Sequence, residues 1–190
     1  MDLLKDCNLE LLSKPPEVES FDCGNADLNE FLFEEATLYD SELLGKTYLF
    51  RPTANPSDIV CFLTVSSDGF KVGHSTNRIR RKINKNIPWI KQRKVYPAVK
   101  IGRLGVNLRY QGLGVGSRLM YFIKSWVIAN MKIASRFLVV DAYNEPGVLS
   151  YYSKNGFEFL LPEEMEMKED SVGYMTPPKT RLMFFDLKSK

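Results

Sequence analysis

Apolar residues recur along the chain in two rhythms, one near 2 and one near 3.6 residues, that change from segment to segment. NLELLSK alternates weakly and predicts a first strand. In FDCGNADLNEFLFEEATLYDSELLG, the residues Leu28, Phe31, Leu32 and Leu38 mark one face of a helix. Asn25 or Asp27 can cap it and Gly45 can end it. KTYLFR reads as a short strand, NPSD as a turn, and IVCFLTVS as a buried strand antiparallel to KTYLFR. Ile79, Ile83 and Ile87 recur at helical spacing and predict a short helix over 77–86, with a mobile loop as the alternative. AVKIGRLGVNLR returns to strand character. LGVGSRLMYFIKSWVIANMK is the clearest helix, with Leu119, Phe122, Ile123, Trp126 and Val127 on one stripe. SRFLVVDAY is a buried strand, and EPGVLSYYSKNGF a shorter helix with Pro146 in its first turn and Gly156 at its stop. RLMFFDLK is a closing strand. The order predicts an α/β mixture around one central sheet, without the strict alternation of a doubly wound fold.

The 190 residues fit one domain, and 44% apolar with 12% aromatic content supplies a core. No apolar run reaches 18 residues, so no membrane span is expected. The opening MDLLKDCNLELLSK carries Asp2, Lys5, Asp6 and Glu10 and lacks a leader's apolar stretch. Cys7, Cys23 and Cys61 are far apart, with neither metal-ligand spacing nor a disulfide framework. The expectation is a cytoplasmic protein without a metal, its thiols reduced and not nucleophilic, and His74 a solvated side chain.

Charge changes the picture. The net charge is +3, yet no acidic residue lies between Asp68 and Asp141. That interval holds 16 of the 26 Lys and Arg residues, leaving 10 basic and 23 acidic residues elsewhere, a balance of −13. Such a block suits a phosphate-rich cofactor, a nucleic acid or both. The plainer alternative is solvated surface facing the acidic remainder. PEEMEMKED at 162–170 reads as a solvated acidic loop that could border an amine site.

RYQGLGVGSRLM places Gly112, Gly114 and Gly116 where a strand turns into a helix. Helix N-termini offer unpaired N–H groups to anions, and glycine lets a phosphate approach the backbone. A Walker loop fails because Ser117 and Arg118 follow Gly116. A dinucleotide fingerprint fails because Ser117 stands where its third glycine belongs. Gln/Arg-x-x-Gly-x-Gly/Ala fits twice, at Gln111, Gly114, Gly116 and at Arg109, Gly112, Gly114. A tight turn that packs a helix on the sheet remains the structural alternative.

GRLGVNLRYQGLGVGSRLM resembles the acetyl-CoA-binding motif of the GNAT acyltransferase superfamily. VDAYNEPGVLSYYSKNGFEF resembles that family's next strand, asparagine and helix, with Asn144, Tyr152, Lys154, Gly156 and Phe157 at the matching positions. The two motifs make 99–159 the expected cofactor-binding and catalytic core of a single domain over 1–190, with 71–97 as a basic insertion. The resemblance implies the GNAT acyl-CoA N-acyltransferase fold, a central mixed, mostly antiparallel sheet flanked by helices. It implies acetyl-CoA as cosubstrate. Backbone amides from Gln111 through Gly112, Leu113, Gly114, Val115 and Gly116 to Ser117 would hold the pyrophosphate. Leu104, Gly105 and Val106 would pair with the pantetheine amides, their strand splaying from the one ending near Asp141. Asn144 would touch the cofactor arm. Tyr152, rather than its neighbour Tyr151, would protonate the departing thiolate, a task suited to a phenol whose pKa of about 10 lies just above that of a thiol.

The resemblance implies acetyl transfer to a primary amine by direct attack, without naming the acceptor. Deprotonating a lysine amine at pH 7 costs about 5 kcal/mol, an α-amine only about 1 kcal/mol. Many members of the family use a glutamate on the motif strand as base. This chain has no acid from 69 to 140, so Asp141 or Glu145 would have to substitute, or the amine be partly neutral already. FDCGNADLNEFL and GRLGVN…YQGLGVG also resemble GNAT toxins that acetylate the amino acid on charged tRNA. In that reading the basic stretch 71–94 contacts tRNA phosphates, with Trp89 and Tyr96 available to stack on bases. The 71–97 insertion is longer than those toxins lead one to expect, and the chain carries no sign of an antitoxin. A third reading keeps the fold as a non-catalytic nucleic-acid-binding module. Monomer and homodimer both remain open.

Overall fold

A computed structural model describes residues 2–17, 20–130, 134–169 and 174–189, without the side chain of His74. Positions 131 and 132, at the end of the expected LGVG…MK helix, lie outside the described residues, as does 170 in the acidic loop. The strands are β1 (Cys7–Leu11), β2 (Lys46–Pro52), β3 (Cys61–Lys71), β4 (Val95–Val106), β5 (Phe137–Tyr143), β6 (Glu158–Phe159), β7 (Lys168–Glu169), β8 (Met175–Thr176) and β9 (Thr180–Asp186). The helices are α1 (Leu3–Asp6), α2 (Ala26–Glu30), α3 (Ala36–Ser41), α4 (Asn77–Asn84), α5 (Val115–Asn130) and α6 (Pro146–Lys154). Seven strands form one mixed sheet in the order β1-β2-β3-β4-β5-β9-β6, and β7 and β8 pair separately. The β4–β5 pair is parallel, and the pairs β1–β2, β2–β3, β5–β9 and β9–β6 are antiparallel. The chain divides into two compact units, residues 1–66 with 101–129 and residues 67–100 with 130–190.

In the first unit, Leu12, Phe21, Phe31, Leu32, Ala36, Leu49, Ile59 and Phe62 form a buried cluster. Asn25 caps α2 by accepting the Leu28 N–H at 3.1 Å. Between α2 and α3 the helix widens into a π-turn over Phe31–Glu35, a local register change that seats Phe31 and Leu32 in the core. Leu38 is solvent-exposed rather than core-facing. The helix also stops earlier than Gly45. Leu43 takes the left-handed conformation at φ 58°, while a Cβ at Gly45 would lie 3.1 Å from the Val65 carbonyl oxygen. The stripe on α5 holds as read, with Leu119, Phe122, Ile123 and Val127 buried and Phe122 edge-on to Phe50 at 5.0 Å.

Close packing explains the glycine at 105. A Cβ there would lie 2.6 Å from Phe62 Cε1 and 3.1 Å from Phe21 Cζ, both rings being buried. Gly105→Ala is therefore expected to destabilise the fold by about 1–3 kcal/mol through overpacking. A denaturant titration that leaves the midpoint unchanged contradicts this.

The second unit has its own core of Phe70, Val72, Ile79, Ile83, Tyr96, Ala98, Phe137, Val139, Leu160 and Phe184. Ile79 and Ile83 anchor α4 to it and Ile87 packs at its edge, so the basic segment folds as a helix on the face its isoleucines predicted. Thr76 caps α4, its hydroxyl accepting the Ile79 N–H at 3.4 Å. Strand β9 runs the length of β5, from Phe137↔Asp186 to Tyr143↔Thr180. At the base of this pair Arg136 donates to both carboxylate oxygens of Asp186, at 2.9 and 2.6 Å.

Candidate active site

The glycine loop belongs to the first unit. Beyond Val106 the chain enters it through Asn107, which is buried and bonded on all sides. Its Nδ2 donates to the carbonyls of Ile59 (3.0 Å) and Ser20 (3.3 Å), and its Oδ1 accepts the Arg109 N–H (3.1 Å). Arg109 grips Asp58 with two nitrogens, at 3.1 and 3.0 Å. The Gln111 side chain donates to the carbonyls of Val106 (2.8 Å) and Cys23 (3.0 Å). Leu108 N–H donates to the Asp22 carbonyl at 2.8 Å. The FDCGN segment is thus the brace of the loop, and the Gln111 side chain is part of that brace.

Two glycines at the tip have the freedom only glycine gives cheaply. Gly112 and Gly114 sit at φ +74° and +75°. A Cβ at Gly112 would meet nothing within 4 Å, and one at Gly114 only Arg118 Nη1 at 3.7 Å. Neither glycine is needed for close packing of α5 on the sheet, and their positive φ serves the turn itself. What the two leave is bare backbone facing open space at the start of a 16-residue helix. Arg118 N–H is bonded to the Gly114 carbonyl at 3.2 Å, so the helical ladder starts there. Arg118, whose Nη1 reaches the Leu113 carbonyl at 2.9 Å, adds a cation at the same place. The sequence hides this residue, because an arginine in the first helical turn after the glycines resembles any surface cation.

In the second unit, Tyr152 lies on α6 with only 7% of its surface exposed. Its ring meets Tyr151 edge-on at 5.1 Å and Phe157 at 5.4 Å. Burial pushes its phenol well above the ordinary tyrosine value, so it is a more firmly protonated group than the sequence implies. Gly156, at φ +79°, ends α6 as predicted. Asn144 is held by β9's approach, its N–H bonded to the Lys179 carbonyl (2.9 Å) and its Nδ2 to that of Pro178 (3.1 Å). Asp141 is ion-paired with Lys100 at 2.5 Å. The parallel ladder joins Ala98–Lys100 to Phe137–Val139, three residue pairs, whereas β5 continues to Tyr143.

The basic segment presents its charge outward. Arg78, Arg81 and Lys82 on α4, and Lys85 just beyond its end, are exposed. Lys82 pairs with Glu158 at 2.5 Å, and Arg80 folds back on the carbonyls of Gly73 and Ser75. Trp89 is 87% exposed. Tyr96 is not available for stacking: it is buried against Phe137 at 5.6 Å, and its hydroxyl donates to Asn84 Oδ1 and accepts the Arg93 N–H. A cavity of about 550 Å³ has Thr76, Arg78, Glu158, Glu163 and Arg181 in its wall, so part of the acidic loop borders a hollow. All three cysteines are free, two of them buried.

The acetyltransferase (GNAT) family model matches residues 27–157. The chain belongs to the GNAT acetyltransferase family. Among solved structures, this acetyltransferase is similar to AtaT in complex with acetyl-methionyl-tRNAfMet, at 21% identity, a TM-score of 0.68 and 96% coverage of both chains. It is similar to a tyrosine-to-phenylalanine mutant of KacT, at 19% identity and a TM-score of 0.66, over 97% of this chain and 96% of that one. It is also similar to AtaTR bound with acetyl-CoA, at 21% identity and a TM-score of 0.62, over 96% of this chain and 94% of that one. The donor in this family is acetyl-CoA. Among the described residues no helix is long and apolar enough to cross a membrane.

Proposed function

We propose that this acetyltransferase, a single GNAT domain over 1–190 with a cytoplasmic site of action, moves the acetyl group of acetyl-CoA to an α-amine by direct attack. The observation that carries this reading is the pair of left-handed glycines with open space above them at the α5 N-terminus. Backbone amides after Gln111 and up to Ser117 hold the pyrophosphate, the N–H of Gln111 itself being given to the Leu108 carbonyl at 3.3 Å, and Arg118 adds a counter-charge. The backbone of Leu104, Gly105 and Val106 carries the pantetheine arm; the short β4–β5 ladder supports this. Asn144 contributes its Oδ1, since its amide nitrogen is committed to Pro178.

In the transfer, the amine lone pair forms the C–N bond and the C–S bond breaks. The Tyr152 phenol delivers a proton to the sulfur, and the proton lost from nitrogen restores the balance. Burial raises the phenol and keeps it protonated at neutral pH, ready to donate. With Asp141 paired to Lys100, an acceptor that is partly neutral at pH 7 is favoured over a lysine side chain. Thiol release measured with α-amino esters and with lysine side-chain analogues tests this. Faster turnover of the α-amines at pH 7 is expected, and preference for the lysine analogue contradicts it.

The basic face of α4 favours a second, narrower reading in which the α-amine is that of an aminoacyl-tRNA. The similarity to AtaT in complex with acetyl-methionyl-tRNAfMet supports it. On this reading an Arg78→Ala/Arg81→Ala/Lys85→Ala protein loses about 2 units from the slope of log K against log salt for tRNA binding. An unchanged slope removes 71–94 as the contact. The AtaT structure bound to the C-terminus of its antitoxin AtaR extends the reading to an antitoxin partner for this chain.

A further inference from the structure

In the first unit, Arg103 has no carboxylate partner among the described residues. Arg103 lies on β4 between Gly102 and Leu104, half-buried. Its guanidinium carbon is 4.9 Å from the centre of the Phe31 ring, and Nη1 turns back to the Gly102 carbonyl at 3.1 Å. Its Nε is buried and has no hydrogen-bond partner, the one such side-chain atom among the described residues. Where the chain buries a guanidinium elsewhere it supplies an acid: Arg136 has Asp186, and Arg181 has Glu166 at 2.7 Å.

The surroundings offer Arg103 no such partner. The helix that carries Phe31 bears Asp27, Glu30, Glu34 and Glu35, all exposed. Asp22, in the loop before it, is engaged by the Gly24 N–H and the Asn29 amide, which hold its carboxyl below the usual range. On β3 the residue beside Gly102 is Thr64, bonded to Thr47. None of these carboxylates forms an ion pair with Arg103 among the described residues. An unpaired, partly desolvated cation is costly and calls for a role. The ring it rests on is set by a π-turn, a distortion common at functional sites.

We propose that Arg103 holds the acceptor. A guanidinium nitrogen other than the buried Nε donates to the oxygen of the carbonyl attached to the amine-bearing carbon, and the positive charge disfavours the ammonium form of that amine. The class of acceptor is an α-aminoacyl compound, with a carbonyl on the carbon that bears the amine. The guanidinium gives up no proton and accepts none. It does by like charge what a carboxylate base would do by proton removal. Position agrees: Arg103 directly precedes Leu104–Val106, the stretch assigned to the acetyl-CoA arm. The assignment rests on the amine-transfer reading.

The test uses alanine methyl ester as acceptor and reads kcat and KM against pH for wild type, Arg103→Gln and Arg103→Lys. The glutamine variant is expected to raise KM about tenfold and to move the rising limb of kcat up by about one pH unit. The lysine variant keeps the charge and returns the limb toward wild type. Acetyl-CoA affinity stays at the wild-type value in both and the thermal midpoint does not fall, which separates this role from a structural one. Superimposable profiles for wild type and Arg103→Gln overturn the assignment alone. A wild-type protein that binds acetyl-CoA and acetylates no α-amino ester contradicts the amine-transfer reading, and the assignment falls with it.

Discussion

Tyr152→Phe is expected to lower kcat by about 10²–10⁴, the range for losing a positioned general acid, while acetyl-CoA binds as before. The two effects separate because the ring and the hydroxyl do different work. The ring packs edge-on against Phe157, and phenylalanine keeps that contact, so α6 and its neighbours stay in place. The hydroxyl alone is removed, and with it the proton for the departing sulfur. Burial holds that proton firmly, since the folded phenol is raised above its unfolded value. The sign follows. Ionising the tyrosine is harder in the folded protein, so any stability tied to the neutral phenol is complete below the ordinary tyrosine value near pH 10. It is lost only as pH rises through the higher folded value. Activity over pH 6–9 therefore shows no loss from phenol ionisation. An activity that falls through pH 8 by tyrosine ionisation, or a phenylalanine variant with wild-type kcat, would remove Tyr152 from the acid role.

Gly114→Glu is expected to weaken acetyl-CoA binding by about 10²–10³-fold, from two causes that an alanine control distinguishes. At φ +75° any side chain is strained by about 1–2 kcal/mol, which relaxes the loop away from its binding conformation. Gly114→Ala reports that part, a loss of about 5–30-fold. Glutamate adds a carboxylate in the space meant for a pyrophosphate and reverses a charge-assisted contact, worth roughly another 1.5–3 kcal/mol. Calorimetry on the three proteins gives both parts. The fold is expected to survive, because a Cβ at this position meets only the end of the Arg118 side chain. Equal affinities across the three would mean that no phosphate approaches this backbone.

Local chemistry was legible in the sequence, and long-range packing was not. Ile79, Ile83 and Ile87 announced α4 because helical periodicity is a property of neighbours. Pro146 and Gly156 bounded α6 for the same reason. The stop of the first long helix moved from Gly45 to Leu43, because the left-handed residue is chosen by where the chain must join β2. The π-turn at Phe31–Glu35 left no mark either, since it arises from seating two adjacent apolar residues in one core. Tyr96 looked like a stacking residue amid cations. Its burial depends on β4 and β5 lying side by side, a pairing that no local pattern reveals. In the site, the glycines and Tyr152 were readable as a motif. The brace formed by Asp22, Cys23 and Gln111, and the orphaned Nε of Arg103, exist only once residues some 80 positions apart meet.

Direct attack by an amine on acetyl-CoA is the center of this account, and intact-protein mass spectrometry combined with thiol release tests it most directly. Wild-type protein is incubated with acetyl-CoA alone and then with α-amine acceptors, from alanine methyl ester to charged tRNA. The account predicts an unmodified protein mass throughout. Free thiol appears only after an acceptor is added, in amounts equal to the acetylated amine. An acetyl group carried on the protein, on Cys23 for example, or thiol released without any acceptor, would contradict it.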